Sequence, residues 1–82
     1  MEEKVVELLG FIDLLLQDMS IPKNIRKAIE DAKAHLLKPG DLSVRAGNAI
    51  YALDSVSEDV NMPMHARTQI WNILSNLERL KE

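Results

Sequence analysis

The chain has no cysteine, and only three glycines and three prolines in 82 residues. Each scarcity closes an option. Without cysteine there is no disulfide framework, no thiolate zinc site and no thiol nucleophile. The few glycines form no phosphate-cradling loop. No apolar run approaches the roughly eighteen residues that span a bilayer. The N-terminal stretch "MEEKVV" is acidic and lacks a signal-peptide pattern. No segment alternates with period two, so strands are not expected. The reading is a soluble, intracellular protein built of helices. The composition, 46% hydrophobic and 28% charged, is that of a folded chain. Its length suits a single domain over 1–82, one that buries only about 60% of the surface it exposes when unfolded.

Charge is unevenly spread. The net charge is −3, which disfavours nucleic acid as a partner. Residues 1–18 and 41–61 are acidic, whereas 22–38 and 62–82 are basic. Acidic and basic helices lying side by side account for this alternation. The sharper alternative sets Lys23, Lys27, Lys33 and Lys38 against an acidic partner or a phosphate backbone.

Apolar residues recur at three- and four-residue steps almost throughout. Val5, Leu8, Leu9, Ile12, Leu15, Leu16 and Met19 form one set, and Ile25, Ala28, Ile29, Ala32 and Leu36 a second. Leu42, Ala46, Ala49, Ile50, Leu53 and Val56 form a third, and Ala66, Ile70, Ile73, Leu74, Leu77 and Leu80 a fourth. This periodicity predicts helices over about 2–18, 22–37, 42–58 and 63–80. "KPGD" at 38–41 is the strongest break between them.

Shifted by 41 residues, the chain aligns with itself. Asp13, Asp18, Pro22, Arg26, Ile29 and Leu36 fall on Asp54, Asp59, Pro63, Arg67, Ile70 and Leu77. Four of these identities make one pattern that occurs twice, Asp-x3-Pro-x3-Arg-x2-Ile. The fold expected is therefore a four-helix up-and-down bundle of two similar hairpins, about 1–41 and 42–82.

The repeat also explains a conspicuous stretch, "EDVNMPMHARTQIW" (58–71). Its Asp59, Asn61, Pro63 and Arg67 match Asp18, Ser20, Pro22 and Arg26, and all eight read as corner chemistry. Ser20 and Asn61 are expected to cap the next helix. The prolines suit a first turn whose N–H has no partner. Arg26 and Arg67 are placed within reach of Asp18 and Asp59. Met64, His65 and Trp71 differ between the copies and form a candidate functional surface. Trp71 is expected at the flank of the apolar stripe, sealing a seam, with Arg67 able to lie over its indole face. His65 is expected to face water. No His-x3-His or Glu-x2-His spacing occurs, so no metal, cofactor or catalytic residue is assigned.

Two outward lines remain, Val6, Gly10 and Leu14 on the first helix and Val44, Gly47 and Tyr51 on the third. Glycine inside a helix costs about 1 kcal/mol relative to alanine, so these positions form a candidate interface where another helix approaches. The plainer reading packs them against neighbours within the bundle.

The residues "NIRKAIEDAK" and "VNMPMHARTQIWNILSNLE" resemble a family of small archaeal proteins without assigned function. That family's pattern is similar to Asp-Pro-Asn-Met-Pro-x-His-x-Arg-Thr with Trp three residues on. Asp59, Asn61, Met62, Pro63, His65, Arg67, Thr68 and Trp71 match it, and Val60 replaces the proline. The resemblance implies an archaeal, cytoplasmic four-helix bundle and no activity. A non-catalytic helical module that self-associates or docks on a protein partner is the leading function. An accessory RNA- or nucleoprotein-binding role is the alternative, and an enzyme centred on His65, Arg67 and Asp59 ranks below it.

Overall fold

The computed structural model describes residues 2–81, in which four helices form: α1 Glu3–Leu16, α2 Lys23–Leu37, α3 Leu42–Asp54 and α4 Met64–Lys81. The apolar spacing dictates which face each buries. Val5, Leu8, Ile12 and Leu15 of α1 turn inward, as do Ile25, Ala28, Ile29, Ala32 and Leu36 of α2. Ala46, Ala49 and Leu53 of α3 meet Ala66, Ile70, Ile73 and Leu77 of α4 in the same interior. Consecutive helices lie side by side, and α4 returns to α1 to close a ring measuring 33 × 20 × 17 Å. Among the described residues no strand forms and no polar or charged residue is buried. The all-α bundle predicted from periodicity is the fold observed.

The four neighbouring pairs are not equally close. The α2 and α3 backbones pack most tightly, and those of α1 and α4 least. At the α2–α3 end, Gly40 takes φ 120°, a left-handed conformation that side chains resist. Asp41 then caps α3 by accepting from the Ser43 N–H at 2.8 Å. Arg45 ties the two helices together, donating through Nε (3.2 Å) and Nη2 to the Leu36 carbonyl, one of the unpaired acceptors ending α2.

Two helices stop before their apolar spacing does. The third was expected to reach about residue 58 but ends at Asp54. Ser55 Oγ donates to the Ala52 carbonyl (2.6 Å) and Ser57 Oγ to that of Asp54 (3.2 Å). The N–H groups of Val56 and Ser57 bond three residues back rather than four. Serines that compete for backbone acceptors favour a turn over continued helix. The first helix ends at Leu16, so Met19 leaves the core and stands 79% exposed, while Ile21 is buried.

Candidate functional site

Both hairpin corners lie at one end of the bundle and share one set of hydrogen bonds. The N–H of Asp18 bonds the Leu15 carbonyl, and the Asp18 carbonyl receives the Ile21 N–H. Forty-one residues on, Asp59 does the same with Val56 and Met62. Each aspartate also accepts the N–H two residues ahead through Oδ1, from Ser20 at 2.9 Å and from Asn61 at 2.8 Å. This is the local turn that aspartate favours. Ser20 and Asn61 are thus backbone donors to the aspartates rather than acceptors for the next helix. Pro22, the residue before α2, makes no side-chain cap bond. The apolar residue before each proline, Ile21 or Met62, plugs the core, and the one after each aspartate, Met19 or Val60, points into water.

The second carboxylate oxygen reaches across to the other hairpin. His65 Nε2 lies 2.6 Å from Asp18 Oδ2, and Asn24 Nδ2 donates to Asp59 Oδ2 at 3.2 Å. Residue 24 maps onto 65 and 18 onto 59 by the same shift of 41, so each copy's second helix holds the other copy's aspartate. An ionised carboxylate only accepts, which makes the histidine nitrogen the donor. The Ser20 hydroxyl, at 2.6 Å, is the first cause that lowers the Asp18 pKa from 3.8 to about 2, followed by His65 and the Ser20 N–H. His65 is exposed, as its helical position predicts, yet it is engaged rather than free.

The arginines do not pair with the aspartate side chains. Arg67 donates to two backbone carbonyls, Asp59 at 2.9 Å and Ser57 at 3.3 Å. Arg26 reaches only the Met19 sulfur at 3.5 Å, and its buried Nε has no partner. Only part of this difference follows from the early stop of α3, which puts Ser57 in the corner where its counterpart Leu16 still belongs to α1. The corner therefore sets His65 and the Ser20 hydroxyl on the Asp18 carboxylate and Arg67 on backbone carbonyls. Among the described residues no three His, Asp or Glu side chains group as a metal site would require.

Trp71 is 53% exposed and so covers its seam only in part, and Met64 stands on the same outward stripe of α4 seven residues earlier. The lysine set does not share a face. Lys33 bonds Asp13 at 2.7 Å and Lys27 bonds Asp31 at 3.2 Å, and the two lie about 120° apart around α2.

The outward lines are left uncovered by the chain's own helices. Val6, Leu14 and Val44 are each more than half exposed, and Tyr51 is 82% exposed. The two glycines differ. A Cβ at Gly47 would rest 3.9 Å from Lys81 Cε, but one at Gly10 would meet nothing within 4 Å. Beside Gly10 the loose α1–α4 pair opens a groove of about 250 Å³, lined by Phe11 and Leu14 of α1 and Gln69, Asn72, Ile73 and Asn76 of α4. Helical spacing did not reveal this groove. The self-alignment carries its signal, because Phe11, Gln69 and Ile73 stand opposite Ala52, Ala28 and Ala32.

A ring of four helices with two interlocked corners defines a small all-α bundle of duplicated design. The chain belongs to the uncharacterised protein family UPF0147, whose model matches residues 1–80. It is 51% identical over 71 residues to a UPF0147 protein of Methanocaldococcus jannaschii, covering 85% of this chain and 76% of that one. A relative in Archaeoglobus fulgidus is 39% identical over 74 residues, covering 90% of this chain and 85% of the other. Among solved structures, one protein of unknown function superimposes with a TM-score of 0.91 at 42% identity, over 98% of this chain and 92% of that one. A UPF0147 member from Thermoplasma acidophilum gives 0.87 at 37% identity, over 94% and 92%. None of these similar proteins carries a named activity. No helix among the described residues is long and apolar enough to cross a membrane.

Proposed function

We propose that this chain is a non-catalytic, cytoplasmic helical module that acts by associating with protein through an exposed apolar helix face. The observation that carries the reading is the exposure of Val6, Leu14, Val44 and Tyr51, large hydrophobic side chains that the bundle leaves uncovered. Apolar side chains grouped in lines rather than scattered singly mark interaction surfaces. Small domains gain stability from such contacts, since one core of this size supplies few kcal/mol. The corner supports the non-catalytic part, because Asp18, His65 and Arg67 are spent on one another's hairpins and on backbone. The lysines lend the RNA alternative no comparable support, with Lys27 and Lys33 engaged by carboxylates on different faces.

The test is the mass at which the chain travels in undisrupted extract of an archaeon that carries it, followed by chromatography and immunodetection. Migration well above its own 9.3 kDa, unaffected by ribonuclease, is the expected result. Migration as a free 9.3 kDa chain contradicts the reading, and a shift on ribonuclease treatment transfers the role to RNA.

A further inference from the structure

The two hairpins use their equivalent arginines differently. Arg67 gives its guanidinium to the Ser57 and Asp59 carbonyls. The counterparts of those acceptors, Leu16 and Asp18, receive nothing from Arg26, whose one hydrogen-bond contact is the Met19 sulfur. Its Nε is buried without a partner, a condition that costs a charged group more than a neutral one. Arg26 instead lines a groove of about 230 Å³ together with Leu16, Lys23 and Glu30. Among the described residues the ion pairs are Lys27–Asp31, Lys33–Asp13 and His65–Asp18, so Lys23, Arg26 and Glu30 enter none. Glu30 stands four residues beyond Arg26, the spacing at which a helix pairs opposite charges, and still no pair forms. Two uncommitted cations thus line one recess.

We propose that this groove binds a carboxylate group, that of a small acid or of an acidic side chain, with Arg26 and Lys23 as its cationic contacts. The guanidinium fork matches the two oxygens of a carboxylate, and the ammonium adds a mobile point charge. Charge balance selects the ligand. Lys23 and Arg26 against Glu30 leave the lining with one positive charge, which a single carboxylate neutralises. A phosphate group, at nearly two negative charges, overfills it beside Glu30. The space falls below the roughly 300 Å³ at which sites for larger molecules begin, so it suits one small group. The first turn of α2 holds no acidic side chain, and the start of a helix favours an anion. The second hairpin lacks such a site, because Met64 stands where Lys23 does and Arg67 is engaged. The groove is separate from the apolar lines on α1 and α3, so losing it would leave the association reading untouched.

NMR of the arginine Nε–H signals of the full chain tests this, during titration at constant ionic strength with acetate, with inorganic phosphate and with a short peptide bearing one glutamate. The Arg26 signal should move along a saturating curve with acetate and with the peptide, and the Arg67 signal should stay. Tighter binding of the peptide assigns the carboxylate to a partner chain, and equal binding assigns it to a small acid. Lys23→Gln should weaken acetate binding by roughly tenfold, while Lys38→Gln leaves it unchanged. Glu30→Gln should reverse the choice of anion, so that phosphate binds more tightly than acetate. No saturation in the wild type overturns the inference, as does equal movement of Arg26 and Arg67. So does a wild type that prefers phosphate. A free chain whose melting temperature falls on Glu30→Gln also overturns it, because Glu30 would then be the internal partner of Arg26.

Discussion

The two seams related by the 41-residue shift, α2 with α3 and α1 with α4, show how side-chain size sets the shape of this bundle. On the shut side the buried residues include Ala28, Ala32, Ala46 and Ala49. Their counterparts on the open side are Gln69, Ile73, Val5 and Leu8. Alanine lets two helix backbones come close, and larger residues hold them apart. Arg45 then fastens the shut side through the Leu36 carbonyl, where the open side has Lys4 in the equivalent place. The two hairpins share one plan of corner bonds, and a handful of size differences accompany one closely packed seam and one open one.

If size governs the seams, substitutions should act differently on each. The largest effect is expected from Ile73→Ala, which removes a buried side chain from the floor of the open seam. It should cost about 3 kcal/mol, a fall in Tm of roughly 12–24 °C for a domain this small. Ala32→Ile reverses the exchange on the shut side, where no space exists for added carbons. Overpacking there should cost about 2 kcal/mol, and helix-pair distances by NMR should widen between α2 and α3 only. An unchanged α2–α3 spacing would break the comparison. Arg45→Met removes the staple and should cost about 1 kcal/mol, with amide exchange rising first at the end of α2 and around Gly40.

The smallest effect belongs to the corners. The folded pKa of Asp18 is depressed from 3.8 to about 2 by Ser20 and His65, so its contribution is full above 3.8 and is lost as pH falls toward 2. Asp18→Asn should remove this part of the acid dependence and flatten the melting curve over that window. His65→Asn would give both corners the same donor and should leave stability at neutral pH almost unchanged, since exposed pairs contribute little. A large loss from His65→Asn would mean that the cross-hairpin bond matters far more than its exposure suggests.

The helices and the bundle were legible in the sequence because a 3.6-residue stripe leaves each helix one face to bury. The corners were legible only as punctuation. Asp, Ser or Asn, and Pro in close order signal a turn, yet the same residues serve either arrangement of donor and acceptor. Composition could not say that Asp18 would receive the bond and Ser20 give it. Extending the apolar spacing past Leu16 placed Met19 inward, although the chain had already left the helix and it is Ile21 that returns to the core. The overrun of α3 had the same cause, with Val56 keeping helical spacing inside a turn. His65 with Asp18, and Asn24 with Asp59, are separated by 47 and 35 residues and meet only once the hairpins pack. Gly10 and Gly47 looked equivalent in sequence, and only the surrounding helices show that Lys81 shelters one and nothing shelters the other.

Because the chain contains no cysteine, introduced thiols carry labels without interference. Spin labels placed in pairs across α2 and α3 and, at the positions related by the 41-residue shift, across α4 and α1 measure both seams in one fold. The α1–α4 pair should stand farther apart than the α2–α3 pair, and Ala32→Ile should lengthen only the latter. Equal spacings in the wild type, or no change on Ala32→Ile, would contradict the claim that side-chain size sets the shape of the bundle.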